Sequence, residues 1–171
     1  MRLVKLLKSN PFTQFGPDNL MSGWKSLKDL PQGPKMFSRI LGTVIPYSGT
    51  IKAEVRELRP GFAKIQMRDR RTVRNHLSSV HAVALTNLGE LATGLATISA
   101  TPKDHRGIVK TLQTEFLKKA RGTLTAQAEV PEISPLEENT PFVVTASITD
   151  EKDVEVARVT ATWIIGPQTK R

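Results

Sequence analysis

The sequence predicts an α+β domain in which an antiparallel sheet wraps one long, buried helix. Three observations predict it. Stretches of two-residue alternation lie on both sides of a single stretch with helical periodicity. That helical stretch, residues 78–100, holds only two ionisable side chains, His81 and Glu90. The strands are segregated from the helix in chain order, two before it and four after, which favours antiparallel pairing over βαβ units.

The first 48 residues stand apart, because Pro11, Pro17, Pro31, Pro34 and Pro46 alternate with Gly16, Gly23, Gly33 and Gly42. Helices there must be short. Residues 18–27 make one, and residues 34–43 make another with Met36, Phe37, Ile40 and Leu41 on one face. The expected division is therefore a helical extension over residues 1–48, packed on a core domain over residues 49–171. Within the core, Ile51, Ala53 and Val55 alternate with Lys52, Glu54 and Arg56. After a Pro60-Gly61 turn, Ala63, Ile65 and Met67 alternate with Lys64, Gln66 and Arg68. This pattern predicts a hairpin with one buried face.

In the helix, Val80, Ala84, Leu88, Leu91, Leu95 and Ile98 fall on one stripe, and Ser78 or Ser79 is the expected cap. Ala82, Thr86, Gly89, Thr93 and Ala96 form a second, small-residue stripe suited to close approach of another backbone. A helix with so little charge around it predicts a partner copy, packed on the small-residue stripe or on a sheet edge beside it. Beyond it, residues 108–118 form a strand of mixed faces. Alternation returns at Leu124 to Val130, Phe142 to Ile148 and Ala157 to Ile165, with a polar turn at residues 150–153.

Composition narrows the function. A chain of 171 residues suits one domain with a substantial core. Without cysteine there is no disulfide framework, thiolate metal site or cysteine nucleophile, which fits a reducing, cytoplasmic setting. No segment approaches the ~20 apolar residues of a membrane span. Leu3, Val4, Leu6 and Leu7, broken by Lys5 and Lys8, suit a docking segment or contact with a membrane surface. The formal charge of +9 favours an anionic partner, while an aromatic content of only 5% speaks against nucleic-acid binding by base stacking. His76, His81 and His105 lack metal-ligand spacing, so no metal is expected.

The segment running from Arg74 to Glu90 resembles the helix-start motif of hotdog-fold acyl-CoA thioesterases of the PaaI-like kind. That motif runs Asn, several residues, His-Gly-Gly, then an acid nine positions after the His; Asn75, His81 and Glu90 stand at those places. Residues 58–64 and 115–122 look closer to an uncharacterised branch of the same superfamily, a domain of unknown function. The resemblance implies the hotdog fold and an acyl-CoA substrate, with coenzyme A entering as part of that substrate and no other cofactor. It also implies a homodimer or dimer of dimers with sites shared between protomers. The Gly-Gly of the motif is Ala82-Val83 here, which narrows the approach to the helix start.

Thioester hydrolysis needs a polarised carbonyl and a base or nucleophile. A helix N-terminus offers unpaired N–H groups and a positive dipole end, so the Ala82 and Val83 amides suit an oxyanion site. Glu90 suits activation of water or direct attack. Eight residues separate Ala82 from Glu90, about 12 Å along the axis at about 1.5 Å per residue. Two antiparallel helices across a dimer axis would bring one of each together. The alternative for Glu90 is a structural ion pair with a strand cation such as Arg121. For Asn75 it is a turn amide, and for His81 a satisfied core histidine. Arg70, Arg74 and Lys118 are candidate phosphate contacts, or else solvated edge charges. The whole chain reads as an acyl-CoA thioesterase, or alternatively as a non-catalytic acyl-CoA binding protein on the same scaffold.

Overall fold

The computed structural model describes residues 16–168. The N-terminal segment with Leu3, Val4, Leu6 and Leu7 lies outside the described residues. Helices α1 (Pro17–Leu27), α2 (Gly33–Val44) and α3 (Pro46–Gly49) come first, each opened by a proline in its first turn. Proline fits there because its missing N–H would have no intrahelical acceptor. Leu20 and Trp24 of α1 and Phe37 and Leu41 of α2 are buried, and the Trp24 and Phe37 rings meet edge to face at 5.2 Å.

Strands β1 (Glu54–Arg59) and β2 (Phe62–Arg68) form the expected hairpin. The long helix α4 (Ala82–Ala100) follows, then β3 (His105–Phe116), β4 (Thr123–Glu129), β5 (Thr140–Thr149) and β6 (Glu155–Pro167). All pairings are antiparallel and the strand order is β1-β2-β4-β5-β6-β3. The sheet curls round α4, whose Leu88, Ala92, Leu95 and Ala96 have at most 1% of their surface exposed. This is the wrapped helix that the alternation pattern and the resemblance both imply.

Two expectations need correction. The helix begins at Ala82 rather than at Ser78, and neither serine caps it. The Asn75 side-chain oxygen accepts from the Leu77 and Ser79 amides and from the Ser79 hydroxyl, folding residues 75–79 into a turn. Ser78 takes a left-handed φ of 55°, and Val80 bridges to Arg74 and donates to the Ala120 carbonyl. The tract is therefore committed to a turn and a bridge before the helix can start. Its cap is His81, whose Nδ1 accepts from the Val83 amide at 3.1 Å. At the other end Thr101 is extended (φ −70°, ψ 134°), as expected of a residue before a proline, and the helix stops there.

The small-residue stripe is the second correction. A Cβ on Gly89 would overlap the Val159 side chain, and the Trp163 indole N–H donates to the Thr93 hydroxyl at 3.3 Å. Thr93 and Ala96 are fully buried. From Gly89 to Ala96 the stripe is where the protein's own β6 approaches the helix, which leaves only its first part, at Ala82 and Thr86, open to another molecule. The outer edge also stays open. β3 is the last strand of the sheet, and its Ile108, Val109, Leu112 and Phe116 are exposed.

Candidate active site

Glu90 lies in the middle of α4, half-buried, on the side of the helix that the sheet leaves open. Val83, two turns earlier on the same side, is 52% exposed. Thr86 lies one turn before Glu90, and its hydroxyl meets that of Thr114 on β3 at 2.9 Å, which ties the helix to the edge strand. One turn later Gly94 carries no side chain, so nothing on it crowds the carboxylate, and the Trp163 ring closes the space beneath. On the other flank, Asn87 donates from Nδ2 to the Tyr47 carbonyl at the end of the helical extension. Glu90 thus sits at the floor of a trough, with β3 on one side and α3 on the other.

No cation pairs with this carboxylate among the described residues. Arg121, the expected structural partner, instead donates from Nε to the Ser78 carbonyl. Burial with no compensating charge pushes the Glu90 carboxyl above the ordinary carboxylate range. A carboxylate in this setting is a stronger base than one in water. A buried acid that is neither paired nor bonded also points to function rather than to stability.

At the helix start, the Val83 amide is taken by His81, while the exposed Ala82 amide has no acceptor among the described residues. His81 is exposed and is not a core histidine. Because its Nδ1 accepts, the neutral ring carries its proton on Nε2, which faces away from the helix amides. Asn75 fills the turn role described above, with its oxygen fully used locally.

The candidate phosphate contacts are spread out. Arg70 donates from both terminal nitrogens, to the Ile51 carbonyl at 2.7 Å and the Thr50 carbonyl at 2.8 Å, and so fastens the end of β2 to the turn before β1. Arg74 grips Asp69 with two hydrogen bonds of 2.6 and 3.2 Å and holds that carboxyl below the usual range. Lys118 is exposed just past β3, and only its backbone N–H is engaged, by Val156. The structure therefore brings Ala82, His81 and Val83 together at one end of the trough and leaves Glu90 two turns away. Sequence reasoning missed Thr86, Asn87 and Trp163. The two polar residues at positions i−4 and i−3 from Glu90, in an otherwise apolar helix, were the available signal.

Residues 33–165 match the family described as Domain of unknown function (DUF4442). The chain belongs to this family. Among solved structures it is similar to a structural-genomics target at 32% identity and a TM-score of 0.76, covering 87% of this chain and 99% of that one. It is also similar to a Pseudomonas aeruginosa protein of unknown function described as a probable thioesterase, at 21% identity and a TM-score of 0.66, over 81% of this chain and 97% of that one. A hypothetical thioesterase from Streptococcus pneumoniae, solved with coenzyme A, matches at 21% identity and a TM-score of 0.57, over 69% and 91% of the two chains. No curated protein matches in sequence. The fold is the hotdog fold that these thioesterase-like structures share. No helix among the described residues is long and apolar enough to cross a membrane, and none of their His, Asp or Glu side chains cluster as a metal site would require.

Proposed function

We propose that this protein hydrolyses an acyl-CoA thioester, with Glu90 as the base or nucleophile. The observation that carries the reading is the unpaired, half-buried Glu90 carboxylate on the open side of the central helix. Glu90 takes a proton from water as the water oxygen bonds to the thioester carbon. The carbonyl oxygen becomes an oxyanion, held by the Ala82 amide at a helix N-terminus. Collapse of the tetrahedral adduct breaks the C–S bond and releases the coenzyme A thiolate and the free acid.

Glu90 and the Ala82 amide are about 12 Å apart along one helix, too far to act on one carbonyl. The site is complete when a second protomer sets its helix antiparallel, so that each Glu90 faces the other's helix start. The exposed edge of β3, with Leu112 and Phe116, is the surface that a second copy would cover. The runner-up is an acyl-CoA binding protein without turnover. It is favoured by one observation: His81 already occupies the Val83 amide, leaving a single free helix-start donor. Turnover of an acyl-CoA panel by wild type and Glu90→Gln separates the two. Hydrolysis that disappears with Glu90→Gln supports the enzyme, and binding without hydrolysis in both supports the runner-up.

A further inference from the structure

One cavity near the trough is built by the helical extension rather than by the sheet. It encloses about 630 Å³ between α2, α3 and the turn into β1, within the ~300–1,000 Å³ usual for small-molecule sites. Lys35 and Arg39 reach it from α2, one turn apart on the same face, and Lys52 reaches it from the turn after α3. Like charges at this spacing repel one another in a helix, and α2 contains no acid to offset them. None of the three cations has an ion-pair partner among the described residues. The one acid in the lining, Glu54, already lies 3.1 Å from the Arg56 guanidinium. Lys52 is held at a left-handed φ of 47°, an uncommon backbone for a side chain of its length.

The other lining has a different character. Leu41, Ile45 and Ala53 supply apolar wall, and Leu91, the residue after Glu90, supplies the part formed by the central helix. The backbones of Gly42 and Gly49 touch at the back, where a Cβ on Gly49 would overlap the Gly42 carbonyl. Three unmatched cations at one cavity with apolar walls suit a flat, uncharged ring carrying several phosphate charges. A fatty acid has one charge and a long chain, and it matches this mixed lining poorly. Meanwhile Arg70 and Arg74 spend their guanidinium groups on internal acceptors.

We propose that this cavity binds the adenosine 3′,5′-bisphosphate end of coenzyme A, its phosphates meeting Lys35, Arg39 and Lys52 and its adenine lying against the apolar wall. This rests on the acyl-CoA reading above and deepens it: the helical extension is the nucleotide clamp of the site. Calorimetric titration tests it, using wild type, the single Arg39→Glu variant and the triple Lys35→Ala, Arg39→Ala, Lys52→Ala variant, each checked for an unchanged thermal transition. The probes are coenzyme A, adenosine 3′,5′-bisphosphate and decanoate. The expected result is that both variants bind coenzyme A and the bisphosphate at least tenfold more weakly than wild type does, with a shallower salt dependence. Equal affinity across the three proteins, or no bisphosphate binding to wild type, overturns the proposal. So does decanoate binding that the variants lose in place of nucleotide binding. Wild-type hydrolysis of an N-acetylcysteamine thioester, which has no phosphate, tests the enzyme reading separately. Failure there with bisphosphate binding intact leaves the nucleotide site standing.

Discussion

The two sides of the central helix solve opposite problems. One side, with Leu88, Gly89, Thr93 and Ala96, is fitted so closely to the sheet that even a methyl group on Gly89 has no room. The other, with Val83 and Glu90, is open, carries an unpaired acid and borders a bare strand edge. Packing explains every residue on the first side and does not explain Glu90. The contrast separates what the helix does for the fold from what it does for chemistry, and each side makes its own claim about substitutions.

The largest effect is expected from Glu90→Gln. Turnover should fall by about 10²–10⁴, the usual worth of a general base, while the melting temperature should hold or rise. The folded chain keeps the Glu90 proton to higher pH than the unfolded chain does, because burial raises the carboxyl. Its ionisation therefore opposes folding. That penalty is absent below the unfolded pKa of about 4.3 and grows as pH climbs toward the folded value. The variant's stability relative to wild type should accordingly increase from acid to neutral pH. A sharp drop in melting temperature at pH 7 would mean that Glu90 has a structural partner after all. For the same reason, wild-type turnover should rise with pH through a midpoint above the usual carboxylate range.

On the closed side the expectation reverses. Leu88→Ala should cost about 2–5 kcal/mol in denaturant unfolding, and Gly89→Leu about 1–3 kcal/mol from overpacking against Val159. If either left stability untouched while removing activity, the division between the two sides would fail. A smaller effect is expected at the margin of the trough. Arg70→Ala leaves the Thr50 and Ile51 carbonyls without their donor, a loss of about 1–3 kcal/mol, with coenzyme A affinity changed less than by Arg39→Glu. The least effect on stability should come from Leu112→Arg with Phe116→Arg on the bare edge. That pair should shift light-scattering mass toward the single protomer and lower turnover, with little change in the far-ultraviolet spectrum.

The architecture was legible because most elements obey one period, β3 with its mixed faces excepted. β2 and β4 alternate cleanly between core and outside, and the stretch before Ala100, with Glu90 its lone acid, reads as a buried helix. The helix start was less legible. Serines 78 and 79 look like caps, and only the three-dimensional turn round Asn75 shows that Ser79 is bonded to Asn75 and that Ser78 sits in the left-handed turn before the helix. The small-residue stripe was read as an invitation to another molecule because sequence cannot say which backbone comes close. Glu90 was visible as the lone acid of an apolar helix. The fate of the arginines was not, since a basic run at residues 68–74 looks the same whether its guanidinium groups face solvent, a carboxylate or a backbone carbonyl.

The unpaired edge of β3 runs for 12 residues directly alongside the trough that holds Glu90. On the proposed reading, the same encounter that covers this edge also assembles the catalytic pair, so assembly and activation are one event governed by mass action. Specific activity then becomes a function of protomer concentration: it holds steady while the protein is abundant and declines on dilution through the association constant. Two inactive variants, one lacking the acid and the other a working helix start, would complement each other when mixed. Half of a random mixture would be hybrids, each with one of two sites intact, and about a quarter of full activity would return.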